Sequence, residues 1–146
     1  MSHRRLLFAV LGVAVCLLAP ACGEKVQDRM IGTWTLDLEA TKALSHFQTM
    51  SEKHRAAVYK NLGGMLLEVT FTGNTMSKQS SVQVLEGLDN MRQSVGGPYK
   101  INRSKGNSLV LAVQTAEGMK RVGVELRGEN QLILDMDESK TVLKRK

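Results

Sequence analysis

Cysteine is scarce in this sequence, with two among 146 residues, Cys16 and Cys22, so no network of disulfides holds the fold. Proline is equally rare at two, and with 13 glycines the composition is neither collagen-like nor low-complexity. Aromatic side chains make up 4% of residues. The one tight basic cluster, Lys144-Arg145-Lys146, has no aromatic interleaved, which excludes the basic stripe and stacking platform of a nucleic-acid binder. Signatures of chemistry are missing as well. The chain has no Gly-x-Ser-x-Gly elbow, no His-Glu-x-x-His pair and no Walker loop, so no catalytic constellation can be named and an enzyme is not expected. His46 and His54 are separated by two helical turns, about 12 Å, too far to share one metal ion. His54 reads instead as a residue at the boundary of a core. Asp135-Met136-Asp137-Glu138 gathers carboxylates but lacks the central glycine and distant glutamate of a calcium loop, and reads as a solvated hairpin tip. The methionines are scattered singly, without the close spacing that brings three thioethers onto copper(I). Neither a metal nor a cofactor is expected.

Long apolar runs are absent but for one. Leu6 to Ala19 follows His3, Arg4 and Arg5 and precedes Ala19-Pro20-Ala21, the three parts of a secretory signal peptide. It is too short to span a bilayer, which needs about 20 apolar residues. Residues 1–21 are therefore expected to be removed, with 22–30 a polar tether and 31–146 the folded domain. Cleavage after Ala21 makes Cys22 the first mature residue, and the site resembles the lipobox of bacterial lipoproteins. That resemblance implies lipidation of Cys22 and anchoring at the cell envelope, on the outer membrane facing the periplasm or the surface. Ala19 and Pro20 depart from the residues usual in a lipobox, and Ala19-Pro20-Ala21 also fits ordinary signal peptidase, so a soluble periplasmic or secreted domain is the alternative. The remaining 125 residues carry 18 basic and 14 acidic side chains, dispersed along the chain. A domain of that size buries roughly two-thirds of its unfolded surface, enough for one core without staples.

Along that domain the hydrophobic period is mostly two. Gly32 to Leu38 alternates Trp34, Leu36 and Leu38 with polar partners. Thr41 is a candidate N-cap for a helix over 42–62, where Leu44, Phe47, Ser51, His54, Val58 and Leu62 share one face and Ser51 and His54 interrupt it. Gly63-Gly64 supplies the left-handed conformation that commonly ends a helix. Leu67, Val69 and Phe71 then alternate cleanly, and Thr75 to Leu85 less so. A loop is expected around Gly87, Asn90, Gly96, Gly97 and Pro98. Strands follow at Tyr99–Arg103, Ser108–Gln114, Lys120–Leu126, Gln131–Met136 and Thr141–Arg145, with turns recurring every 10 or 11 residues. The expected fold is mainly β: a single up-and-down antiparallel barrel of about eight strands, with one helix inserted after the first.

Gly32-Thr33-Trp34 on the first strand, the meander, and a last strand ending Leu143-Lys144-Arg145 resemble the lipocalin and fatty-acid-binding superfamily over Met30 to Lys146. The resemblance implies that Gly32 and Trp34 close one end of the barrel and that Arg145, or Lys144, lies across the Trp34 ring. The helix after the first strand is similar to the lid of fatty-acid-binding proteins. The Arg-x-Tyr carboxylate clamp of that group has no counterpart, because residues 141–146 contain no Tyr.

An eight-stranded barrel either fills with side chains or holds one small ligand. The candidate lining is Leu67, Val69, Phe71, Tyr99, Ile101, Leu109, Leu111, Val113, Val122 and Val124. Two functions follow: an exported, lipid-anchored module binding a small apolar or amphiphilic ligand, with the helix as lid, or a solid barrel acting as a structural or interaction module, an envelope assembly partner or an enzyme inhibitor. The membrane, through the lipid, is the other expected partner.

Overall fold

The computed structural model describes residues 25–82 and 91–146; the expected export segment, Cys22, Gly87 and Asn90 lie outside the described residues. Alternation builds eight strands: Gly32–Leu36 (β1), Met65–Phe71 (β2), Thr75–Val82 (β3), Met91–Lys105 (β4), Ser108–Thr115 (β5), Gly118–Arg127 (β6), Gln131–Met136 (β7) and Ser139–Arg145 (β8). Each pairs antiparallel with the next, and β8 returns to β1, giving a closed up-and-down barrel of the expected class. Closure leaves no strand edge to template pairing with another chain. Burial follows the pleat, as in β5 and β6, where Leu109, Leu111, Val113, Val122, Val124 and Leu126 point inward and are buried.

Two expectations about the strands need correction. β1 stops at Leu36 because Asp37, whose N–H still donates to the Val142 carbonyl at 2.9 Å, turns to cap a helix, its carboxylate accepting the Ala40 N–H at 3.1 Å. The expected loop at Gly96-Gly97-Pro98 is instead the middle of β4, whose first half pairs with β3 and second half with β5. Glycine is needed there for close approach rather than for a turn. A Cβ on Gly96 would collide with the Met76 carbonyl, and one on Gly97 with the Gln114 carbonyl.

The expected tether is partly helical. Val26–Met30 (α1) lies across the end of the barrel, with Met30 fully buried in the core. Arg29 donates to the Gly128 carbonyl at 2.7 Å and Gln27 to that of Gly73 at 3.1 Å, tying α1 to two hairpin turns. This is the closed end of the barrel.

The single helix expected over 42–62 is three: Leu38–Lys42 (α2), Ser45–Gln48 (α3) and Glu52–Gly63 (α4). Leu44 and Ser51 adopt extended backbone, ψ 140° and 148°, and so restart the helix each time. Ser51, which interrupts the apolar face in sequence, is the N-cap of α4 and accepts the His54 N–H at 3.4 Å. Thr41 is no cap. It is fully buried inside α2, and its hydroxyl meets both the N–H and the C=O of Val142 at the end of the β1–β8 ladder. Gly64 ends α4 at φ −91°, without a left-handed residue. No residue of α4 is buried and His54 is exposed rather than at a core boundary. The α2–α3 segment covers the outside of the sheet: Leu44 and His46 share a small groove with Ile133, which with Val142 is buried although both alternate with inward neighbours.

Candidate ligand-binding cavity

At the closed end Trp34 and Arg145 are direct partners across β1 and β8. Trp34 is fully buried, its Nε1–H donates to the Met30 carbonyl at 2.8 Å, and the Arg145 guanidinium lies 4.3 Å from its ring centroid. The same guanidinium donates to the carbonyls of Glu129, Ile31 and Arg29 at 3.3, 3.0 and 2.6 Å. Gly32 makes room for it: with φ +133°, a Cβ there would stand 2.9 Å from Arg145 Nη1. Between Arg145 and Lys144, it is Arg145 that covers the ring.

Above this plug the interior is solid. Val69, Phe71, Tyr99, Leu109, Leu111, Val113, Val122 and Val124 pack into one buried cluster with Met30 and Trp34, so these expected lining residues face one another rather than open space. The Tyr99 hydroxyl donates to the Thr72 carbonyl at 2.8 Å, and burial raises its pKa above 10.0, a hydrogen bond from Gln27 opposing. Ile101 pairs with inward Leu111 just before a register shift, but it is 37% exposed and belongs neither to the buried cluster nor to the lining of the cavity at the other end.

The open space is at the other end, under the helices. A cavity of about 770 Å³ runs between Leu36, Leu38, Leu62, Met65 and Leu67 on one side, where Thr35 and Glu68 also border it, and Gln79, Ser80, Ser81, Gln93 and Ser94 on the other; the Glu68 carboxylate is held by Lys146 at 2.8 Å. Of the expected lining residues Leu67 alone reaches it. A second pocket of about 420 Å³ shares Ser80, Gln93 and Ser94 with the first and adds Val95, Lys78, Lys120, Glu117 and Asp137. Register fixes which way the lysines face. Lys78 pairs with inward Val69, and Lys120 with inward Val113, so both ammonium groups belong to the inside of the barrel mouth. Lys120 is engaged by Glu117 at 3.0 Å and Asp137 at 3.5 Å, from two neighbouring hairpin tips. The hydrogen bond to Glu117 is the main cause of its raised pKa. Lys78 is half-buried, and among the described residues no carboxylate stands within ion-pairing distance of it. Burial chiefly lowers its pKa from 10.5; Asp137 opposes this and Lys120 adds to it.

Sequence reasoning had no place for Lys78, Ser80, Gln93 and Lys120. The available signal was the imperfect alternation after Thr75: polar side chains occupy inward positions of β3 because they face the cavity and not the core.

The chain matches no protein-family model and no curated protein. Among solved structures it is similar to one described as a REP1-NXSQ fatty acid transporter, at TM-score 0.32 and 13% identity, over 80% of this chain and 95% of that one. The barrel topology rests on its own strand register rather than on so loose an overlap.

Proposed function

We propose that this protein binds a small amphiphilic molecule in the cavity at the helix-covered end of its barrel, as an exported module anchored through a lipid on Cys22. The observation that carries the reading is the cavity itself. Its volume of about 770 Å³ falls within the 300–1,000 Å³, roughly, of small-molecule sites. One wall is mainly aliphatic, its Glu68 carboxylate paired with Lys146, and the other offers hydroxyl and amide groups, a division that suits an amphiphile. The filled closed end supplies a rigid floor, and α4, which buries none of its residues, is the element best able to move aside. The role proposed is binding without turnover: among the described residues of the mouth, no hydrogen bond joins the Ser80 or Ser94 hydroxyl to a lysine or a carboxylate that could serve as its base.

The test is displacement of a fluorescent acyl probe from delipidated protein, with native mass spectrometry of the undelipidated material. Met65→Trp places a large ring in the cavity wall and is expected to weaken probe binding by at least tenfold, on the order of the loss of one well-packed apolar contact set, with an unchanged circular dichroism spectrum. Absence of probe binding and of any co-purified molecule would overturn the reading and favour a solid barrel that docks an envelope partner. The anchor is checked separately: palmitate label is expected in the wild type and absent from Cys22→Ser.

A further inference from the structure

Resting on the binding function proposed above, we infer that the cavity selects amphiphiles with a single negative charge, held at the mouth by Lys78 between Ser80 and Gln93, with the tail directed under α4 toward Leu36, Met65 and Leu67. Three observations meet here. First, Lys78 faces inward, one register step from the core, and lines the polar pocket that opens into the larger cavity through Ser80 and Gln93. A head group on Lys78 therefore leaves its tail in the apolar half. Second, the other inward lysine is already neutralised. Lys120 is shared by Glu117 and Asp137, so Lys78 is the cation with capacity left for a ligand among the described residues of the pocket.

Third, the position is electrostatically unfinished. Lys78 loses hydration by partial burial and faces a like charge on Lys120, and only Asp137, beyond ion-pairing distance, offsets this. An incoming anion restores what burial removed, whereas an uncharged head group leaves the ammonium further dehydrated. A second negative charge on the head would meet Glu117 and Asp137 across the same pocket without a second uncommitted lysine to balance it. The chemistry that fits is a carboxylate, sulfate or phosphodiester on one alkyl chain.

The experiment is a head-group series at constant chain length on the purified protein: dodecanoate, dodecyl sulfate, dodecanol and dodecyltrimethylammonium, each titrated against the same fluorescent probe. The two monoanions are expected to bind about tenfold or more tightly than dodecanol, the scale of one charge-assisted hydrogen bond, and the cation most weakly. In Lys78→Met the anion advantage falls to within about threefold while dodecanol binding persists; in Lys78→Arg the advantage is kept. The wild-type series needs no variant and so does not depend on the folding of Lys78→Met. Equal binding of dodecanoate and dodecanol by the wild type overturns the charge inference and leaves the cavity function standing. An anion advantage that survives in Lys78→Met overturns the assignment to Lys78. If no member of the series binds, the binding function itself fails and this inference with it.

Discussion

Arg145 shows how much one side chain can hold together at the closed end. Its guanidinium covers the Trp34 ring and fans across three carbonyls from α1, its exit and the β6–β7 turn. A cation over an indole contributes about 0.5–1 kcal/mol at an accessible site, and the hydrogen bonds from a charged donor add to it. Arg145→Ala is expected to lower the unfolding free energy by about 2 kcal/mol in urea titration, and to red-shift Trp34 emission as water reaches the ring. Lys restores only part, because a point ammonium cannot reach three divergent acceptors. Gly32→Ala should cost a similar amount, about 1–3 kcal/mol for a side chain at φ +133°, and the double variant with Arg145→Ala less than the sum, since the colliding guanidinium is gone. Wild-type stability in Arg145→Ala would show that the guanidinium is ornament. This constellation was legible from Gly32-Thr33-Trp34 and the terminal Arg145, because a short motif names both the ring and the room beside it. Lys78 was not legible as a site residue, since an isolated lysine in a strand reads as a solvated face until register shows it opposite Val69.

At the scale of elements, the strands apart from the first half of β4 could be placed from period and turn residues, while the helices between β1 and β2 could not. Strand alternation is enforced locally, every second residue meeting the core. The helix boundaries are set by a tertiary demand: β8 outruns β1, and although the Val142 C=O still accepts the Asp37 N–H at 2.9 Å, the Val142 N–H needs a partner. The Thr41 hydroxyl supplies it, at 2.9 Å from the N–H and 3.2 Å from the carbonyl oxygen. Fixing Thr41 at that spot makes α2 end early, and Leu44 and Ser51 then reset the direction. Thr41→Val keeps the shape but leaves a buried donor unpaired, so a loss of about 1–3 kcal/mol is expected, with faster hydrogen exchange at the Val142 amide. Thr41→Ser should retain most of the stability. If Thr41→Val were neutral and Val142 stayed protected, the hydroxyl would not be what completes the ladder. The long β4 escaped the sequence for a related reason: Gly96 and Gly97 look like a turn, and only the neighbouring carbonyls of Met76 and Gln114 reveal that their missing Cβ atoms let adjacent backbone approach closely within one strand.

The molecule as a whole is unevenly built, packed solid from α1 to the middle of the barrel and open from there to the helices. That gradient was invisible in the sequence, where the apolar strand residues were equally suited to a dry core and a pocket; the arrangement turns on which strand halves carry polar residues inward. It also gives stability a defined pH dependence. Lys78 has a folded-state pKa below its unfolded value of 10.5, so between the two values the unfolded chain binds more protons than the folded one. Unfolding free energy therefore rises with pH in that window, and the stability gained at its top is lost as pH falls through the folded-state value. Tyr99 and Lys120, whose values are raised, act with the opposite sign, but only above about 10.0 and 10.5 respectively. As pH rises toward 10.5, urea titrations are thus expected to show a Lys78-dependent gain in stability in the wild type that is missing in Lys78→Met. A bound dodecanoate should flatten the wild-type profile too, since a carboxylate beside Lys78 raises its pKa back toward 10.5, and its affinity should fall as pH rises through the ligand-bound value. A slope that is the same in wild type and Lys78→Met would mean that the ammonium at the barrel mouth is hydrated as freely as any surface lysine.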